Sequence, residues 1–255
     1  MSAPQPAAGS FELLDGAVAL PGGLLWLSRA NSLVAADVHF GYEDVIGGAL
    51  PLWSTTETTQ TLLLAARRMQ AREIVFLGDI IHSSRMSEGA AKAVNDALTF
   101  LRRECTVTLV AGNHEGRTRG EAILGETEEA VERDGWLLLH GDEPLRGRRC
   151  IVGHLHPSLP LDARQSVPVF LAAPHLIVVP ALTPYSNGLN ALSSDCTEAL
   201  REFGETKDFI VVASTHDRVY PFGKRRRLQG VMSGGAERHS RTVSMRHRLQ
   251  RDPSE

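Results

Sequence analysis

The chain is poor in cysteine. Cys105, Cys150 and Cys196 are an odd number, far apart, and none belongs to a Cys-x-x-Cys pair. That spacing argues against a disulfide framework and suits a reducing compartment. Also lacking is any apolar run near the roughly 20 residues that a membrane-spanning helix requires. The opening stretch, MSAPQPAAGSFELLDG, has neither a basic start nor an apolar centre, so it does not read as a secretory signal. Together these absences point to a cytoplasmic protein with no membrane partner. No internal repeat of fixed period is present.

What is there is an ordinary globular balance. At 255 residues, 42% hydrophobic and 22% charged, the chain is long enough for one α/β domain with a full core. The net charge of -3 hides an asymmetry. From Gly223 onward nine Lys/Arg face Glu237, Asp252 and Glu255, a local balance of +6, which leaves -9 for the remainder. This basic tail, 223–255, has little apolar periodicity and reads as disordered. Its KRRR run at 224–227 is either a solvated face or a contact to nucleic-acid phosphates. Residues 1–10, rich in Pro and Ala, read as a loose leader. The folded domain is therefore expected over 11–222.

Within it, FELLDGAVAL and GLLWLSRA flank PGG and suggest a hairpin. SLVAADVHF, REIVFLGDIIH and TVTLVAGNHEG carry short, nearly continuous apolar runs, as buried strands do. TTETTQTLLLAARRMQA reads as a helix with Ser54 or Thr55 as N-cap, and its Leu/Ala stripe as core packing. A second helix is expected from about Ser87, and a short one over GETEEAVERDG. GWLLLHGD and RRCIVGHLHP supply two more strands. After Pro157 no helix is expected; VPVFLAAPHLIVVPAL and DFIVVASTHDRVYPF read as strands of a second sheet. Strands alternate with helices, then dominate, which suggests an α/β sandwich built on two sheets.

The polar residues fall in one kind of place. LVAADVH ends on Asp37 and His39, and IVFLGD on Asp79. VTLVAGNHE ends on Asn113 and His114, WLLLHG on His140, and CIVGHLH on His154 and His156. Five apolar strands thus run into Asp, Asn or His at their C-terminal ends, the edge at which open α/β sheets bind ligands. Taken singly, each of these residues reads equally well as a loop, a cap or a satisfied histidine; the joint occurrence argues for metal. Carboxylate, imidazole and amide oxygen suit Mn²⁺, Fe or Zn²⁺, and no cysteine joins the set, against a structural zinc site. Even seven of these groups would exceed the need of one ion, and two ions sharing Asp79 is the economical solution. Two ions about 3.5–4 Å apart can clamp the attacking and leaving oxygens of a phosphate.

In this order, DVH, GD, GNHE, HG and GHLH resemble the motifs of the calcineurin-like metallophosphoesterase superfamily. GDIIH, with His82 three residues after Asp79, is similar to the double-strand-break repair nuclease branch that includes SbcD. The layout through LIVVPALTPYSNGLNAL and DRVYPFG resembles the small single-domain, SbcD-related phosphoesterases called PdeM, over roughly Leu14 to Gly223. The resemblance implies a four-layer α/β sandwich with two mixed β-sheets. It also implies one divalent ion on Asp37, His39, Asp79 and His156, and another on Asp79, Asn113, His140 and His154, with Mn²⁺ favoured. His114 would contact the phosphate and protonate the leaving alkoxide.

The implied reaction is phosphate-ester hydrolysis by a metal-bridged hydroxide, on phosphodiesters and with DNA among the candidates. The sequence departs from the family pattern at His82, where many members carry Asp, and at Glu115, where Asp is common. Extra DNA-binding regions found in SbcD-type nucleases have no room here. Arg85 and Arg117 follow two motifs and read either as phosphate contacts or as surface charge, while His175 and His216 read as structural. The rivals are a phosphomonoesterase or cyclic-nucleotide phosphodiesterase and, in a different class, a non-catalytic scaffold. Against the scaffold, none of the seven ligand positions is missing.

Overall fold

A computed structural model describes residues 9–47, 52–83, 85–115, 117–162, 164–183, 185–186, 188–204 and 209–231. The first sheet contains β1 (Phe11–Leu14), β2 (Ala17–Ala19), β3 (Leu25–Leu27), β4 (Ser32–Ala36), β5 (Glu73–Leu77) and β6 (Thr106–Val110) in that spatial order. Its first four strands are antiparallel, and β4, β5 and β6 run parallel. The second sheet contains β7 (Ala130–Arg133), β8 (Trp136–Leu139), β9 (Cys150–Val152), β10 (Pro157–Pro160), β11 (Ser166–Ala173), β12 (Leu176–Val178), β13 (Leu189–Asn190), β14 (Ile210–Ser214) and β15 (Val219–Lys224). Its order is β13-β10-β11-β12-β9-β8-β7, with β14 and β15 continuing from β11. Strands β8, β9 and β12 are mutually parallel. Five helices join these strands: α1 (Tyr42–Ile46), α2 (Trp53–Met69), α3 (Glu88–Arg102), α4 (Arg117–Leu124) and α5 (Ser194–Glu202).

Alternation along the strands builds four layers. In β5, Ile74 and Phe76 face the core shared with Leu62 and Met69 of α2 and Val94 and Leu98 of α3. Val75 and Leu77 face the other way and pack between the sheets against Trp136, Ile151 and Phe170. The far face of the second sheet, with Val152, Leu171 and Val178, buries Cys196 and Leu200 of α5. A side-chain period of two thus feeds two cores from each buried strand, and the expected two-sheet, four-layer sandwich is what the chain forms.

Several local expectations fail for physical reasons. The hairpin expected across PGG forms between β2 and β3, but FELLDGAVAL is itself two strands, because Asp15 and Gly16 take φ of 43° and 81°, the paired positive values of a tight hairpin turn. The charge-rich GETEEAVERDG contains β7 instead of a helix, since Asp134 and Gly135 (φ 53° and 77°) make the same turn into β8. The helix of that region is α4. Ser54 and Thr55 do not cap α2. They lie inside its first turn, where Ser54 Oγ donates to Glu43 at 2.8 Å and Thr55 Oγ1 accepts from the Gly41 amide at 3.0 Å. A helix does follow Pro157: α5 is short and polar, capped by Ser193, whose Oγ accepts from the Cys196 amide.

The break expected after residue 222 falls inside β15. The chain goes on as helix over 225–231. Arg225 of the KRRR run is buried, with its guanidinium donating to Ala191 O, Ser193 O and Thr197 Oγ1. The rest of the expected tail, 232–255, and most of the expected leader lie outside the described residues. No helix among those described is long and apolar enough to cross a membrane.

The two ends of β5 do different work. At its start Glu73 accepts from Ser32 Oγ (2.7 Å), Thr108 Oγ1 (2.7 Å) and Arg133 Nη2 (2.6 Å), tying β4, β6 and β7 together. Burial alone would raise this carboxyl, but those donors outweigh it and hold the pKa at about 2. At the other end, Ala36, Leu77 and Val110 stand in register across β4, β5 and β6. Leu139 and Val152 do the same across β8 and β9. The Leu182 amide donates to Ala36 O at 2.9 Å, joining the sheets at the rim where all these parallel strands end.

Candidate metal centre

Each polar strand ending reaches that rim. Asp37 and His39 follow β4, Asp79 follows β5, Asn113 and His114 follow β6, His140 follows β8, and His154 and His156 follow β9. The chain turns sharply there to aim side chains inward. Asp37, His39, Asp79, His154 and His156 adopt left-handed backbone, with φ of 50°, 47°, 44°, 60° and 42°. This region is uncommon outside glycine, though short polar Asp and His tolerate it best. Two motif glycines permit the close approach. A Cβ on Gly78 would lie 2.4 Å from His140 Nδ1, and one on Gly153 would lie 2.6 Å from Asp37 Oδ2.

The side chains form two overlapping sets. Asp37, His39, Asp79 and His156 bring one ligand atom each within 4.8 Å of one another, and so do Asp79, His140 and His154. Asp79 belongs to both. Asn113 joins the second set, with Oδ1 2.9 Å from His140 Nε2. All seven ligand positions read from the sequence therefore converge.

The donor chemistry fits cations. His140 Nδ1 donates to Leu77 O at 2.9 Å, which in the neutral ring leaves a lone pair on Nε2. That lone pair faces Asn113 Oδ1, His154 Nδ1 at 3.1 Å and Asp79 Oδ1 at 3.5 Å. Acceptors crowding acceptors call for a positive charge between them. Asp37 and Asp79 are also almost fully buried, at 0% and 2% exposure. Among the described residues their ion-pair partners are histidines alone. A buried carboxylate without a compensating cation is costly by several kcal/mol.

The imidazoles respond to their surroundings in opposite directions. Burial, and then the neighbouring His156, His114, His82 and His140, push His39 down to about 3. Burial and His140 likewise lower His154. Both rings are therefore neutral and carry lone pairs for a metal. Burial opposes charging of His156 as well, but its hydrogen bond to Asp37 and that carboxylate's charge prevail and raise it. Its Nε2 is 3.2 Å from Asp37 Oδ1, and Nδ1 is 2.7 Å from Ser186 Oγ. Ser186 was not singled out in the sequence. It lies in TPYSNGLN, a stretch that reads there as turns, and it fixes which nitrogen of His156 faces the centre.

His114 stands at the mouth, exposed, with Nε2 3.8 Å from Asp79 Oδ2. Its Nδ1 donates to the carbonyl of His82 at 2.9 Å. The residue that departs from the family pattern thus orients His114 through its backbone. The His82 ring completes a third group with His39 and His114, its Nδ1 3.4 Å from His39 Nδ1. Glu115 is buried and accepts from the amides of Ile80 and Gly112, which ties the loops after β5 and β6 together. Arg85 is exposed, and the Arg117 side chain lies outside the described residues. His175 packs edge-on against Phe209, and His216 is exposed on the β14–β15 turn; neither belongs to the convergent groups of ligand atoms.

Comparison with known proteins agrees with this geometry. Residues 31–220 match the family model described as calcineurin-like phosphoesterase. The solved structure of nuclease MPE from Pseudomonas putida is similar at 21% identity and a TM-score of 0.63, covering 81% of this chain and 94% of that one; at that identity the likeness shows the fold alone. YfcE, a phosphoesterase from E. coli, aligns at 16% identity with a TM-score of 0.38, over 76% of this chain and 97% of its own. A superposition that loose carries no argument. No curated protein matches the chain.

Proposed function

The chain belongs to the calcineurin-like phosphoesterase family, and on that premise we propose that it is a dinuclear metal-dependent phosphodiesterase, with DNA among its substrates. The observation that carries this reading is the sharing of Asp79 between two convergent donor sets. Asp37, His39, Asp79 and His156 would hold one divalent cation, and Asp79, Asn113, His140 and His154 the other. Oxygen and imidazole donors without thiolate favour Mn²⁺, with Fe and Zn²⁺ compatible. Such a pair, when bound, supplies Lewis acidity to a phosphate and a nucleophilic water near neutral pH.

The protein's own groups do the rest. Asp37 and Asp79, already buried, offset the cations' charge and need no rearrangement to do so. His114, pinned at Nδ1, keeps Nε2 free for the leaving oxygen, where a proton is most needed if that oxygen departs as an alkoxide. Ser186 and Leu77 O fix the tautomers of His156 and His140. A phosphodiester is favoured by the His82 variant of the motif after β5 and by the likeness to a protein named as a nuclease. A cytoplasmic role in DNA repair belongs to the same proposal.

The test is turnover of bis-p-nitrophenyl phosphate, p-nitrophenyl phosphate and single-stranded DNA with Mn²⁺. Faster cleavage of the diesters is expected. No cleavage of DNA with any divalent metal removes the nuclease part, and preference for the monoester replaces the reading with a phosphomonoesterase.

A further inference from the structure

Beside the metal centre stand two tyrosines that none of the chemistry above uses. Tyr42 begins α1, and Tyr185 lies in the segment between β12 and β13. Their rings are stacked, with centroids 4.3 Å apart and planes 15° from parallel. Tyr42 also makes an edge contact with His82, with centroids 4.6 Å apart, and His82 in turn lies 5.1 Å from His39. A second connection runs through the chain itself. Tyr185 is followed by Ser186, whose hydroxyl touches the ligand His156. The pair is therefore attached, at one end through His82 and at the other through Ser186, to two donors of the same set.

The outer ring is held firmly although it faces solvent. Tyr185 is 41% exposed, yet its hydroxyl donates to Glu43 Oε1 at 3.2 Å. Glu43 itself is buried and is fixed by the amide and hydroxyl of Ser54 at 2.7 and 2.8 Å. An exposed aromatic ring locked by its own hydroxyl and backed by a second ring pays little entropy to bind a flat partner. Nucleobases are the flat groups that phosphodiesters carry, and one base stacks on an aromatic ring whatever its identity.

We infer that Tyr42 and Tyr185 form a base-stacking platform, on whose outer ring the unpaired base next to the scissile phosphate lies. This deepens the phosphodiesterase reading and rests on it. Tyr185 is the contact residue and Tyr42 its support. The platform would give the enzyme a preference for nucleotidyl esters over simple alkyl or aryl esters, without choice among bases.

Two measurements test it on the full chain. In the first, kcat/KM is compared for thymidine 5′-(p-nitrophenyl phosphate) and methyl p-nitrophenyl phosphate, which share a leaving group and differ in the base. Tyr185→Leu is expected to lower the value about tenfold on the thymidine ester and leave the methyl ester within twofold. Tyr185→Phe, which keeps the ring and loses the bond to Glu43, is expected to retain most of the preference. Equal losses on both esters, or none on the thymidine ester, overturn the platform. In the second, quenching of a 2-aminopurine-containing trinucleotide is followed without turnover. Quenching by wild type that Tyr185→Leu abolishes supports the platform, and equal or absent quenching by both overturns it. If wild type hydrolyses neither ester, the phosphoesterase reading fails, while the quenching result still decides the platform.

Discussion

The carbonyl oxygen of His82 accepts a hydrogen bond from Nδ1 of His114 at 2.9 Å, so a backbone atom, not a carboxylate, sets the tautomer of the imidazole proposed as proton donor. A carbonyl cannot take up the proton. The ring is held with Nδ1–H fixed and Nε2 available.

That arrangement separates binding from proton donation. His114→Ala is expected to keep its metal and lose about 10²–10⁴-fold in kcat on an alkyl diester. On a p-nitrophenyl ester, whose leaving group departs without a proton, the loss is expected to be much smaller. Metal content by elemental analysis and kcat on the two esters check it. Equal losses on both substrates contradict the proton-donor role.

Asp79 lies between the two donor sets, and its Oδ1 also accepts from the His114 amide at 3.0 Å. Asp79→Ala is expected to fold, by circular dichroism, but to lose most bound metal and all hydrolysis. Wild-type activity in that variant ends the shared-ligand assignment.

Ser186 offers a gentler perturbation. Ser186→Ala removes the partner of His156 Nδ1 without touching a ligand, and losses of this kind typically weaken metal affinity about 10–100-fold. Activity titrated against Mn²⁺ is expected to shift to higher concentration with kcat at saturation nearly unchanged. Ser186→Thr, which keeps the hydroxyl, is expected to restore the titration.

Glu73 gives the pH prediction, at the end of β5 away from the metal. Its pKa is about 2 in the folded protein, below the ordinary value for a glutamate, so the folded state prefers it ionised. The stability it contributes is complete above the unfolded value near 4.5 and is lost as pH falls through the folded one. Glu73→Gln is therefore expected to cost on the order of 2 kcal/mol at pH 7, with the difference from wild type shrinking between pH 4.5 and 2. Urea denaturation at pH 7 and pH 3 measures it, and a constant difference refutes it.

The metal centre was far more legible in the sequence than parts of the scaffold, because a buried parallel strand leaves a plain signature. Runs such as IVFL and LV are interior, and the Asp or Asn-His after each must emerge at the same rim once β4, β5 and β6 are in register. Ser186 left no such trace. It follows no apolar run, and a serine beside Asn-Gly reads first as a turn. β7 was obscured by its charges: Glu132 and Arg133 sit on an edge strand, and only the Asp134-Gly135 turn betrayed the hairpin. α5 is nine residues long with four of them charged, and its Ser193 cap was the one clear signal. The hydroxyls of Ser54 and Thr55 looked like caps because local sequence cannot reveal a distant carboxylate such as Glu43.

Left-handed backbone at five residues of the candidate metal centre has a consequence for the protein's motions. Conformations of that kind persist only where their surroundings hold them, and divalent ions would be a large part of that hold. A chelator should therefore loosen the rim well before either sheet yields, and deuterium should enter the amides around residues 37–39, 79 and 153–156 ahead of those in β5 or β9. Metal supply would then govern how long the polypeptide survives as well as how fast it turns over.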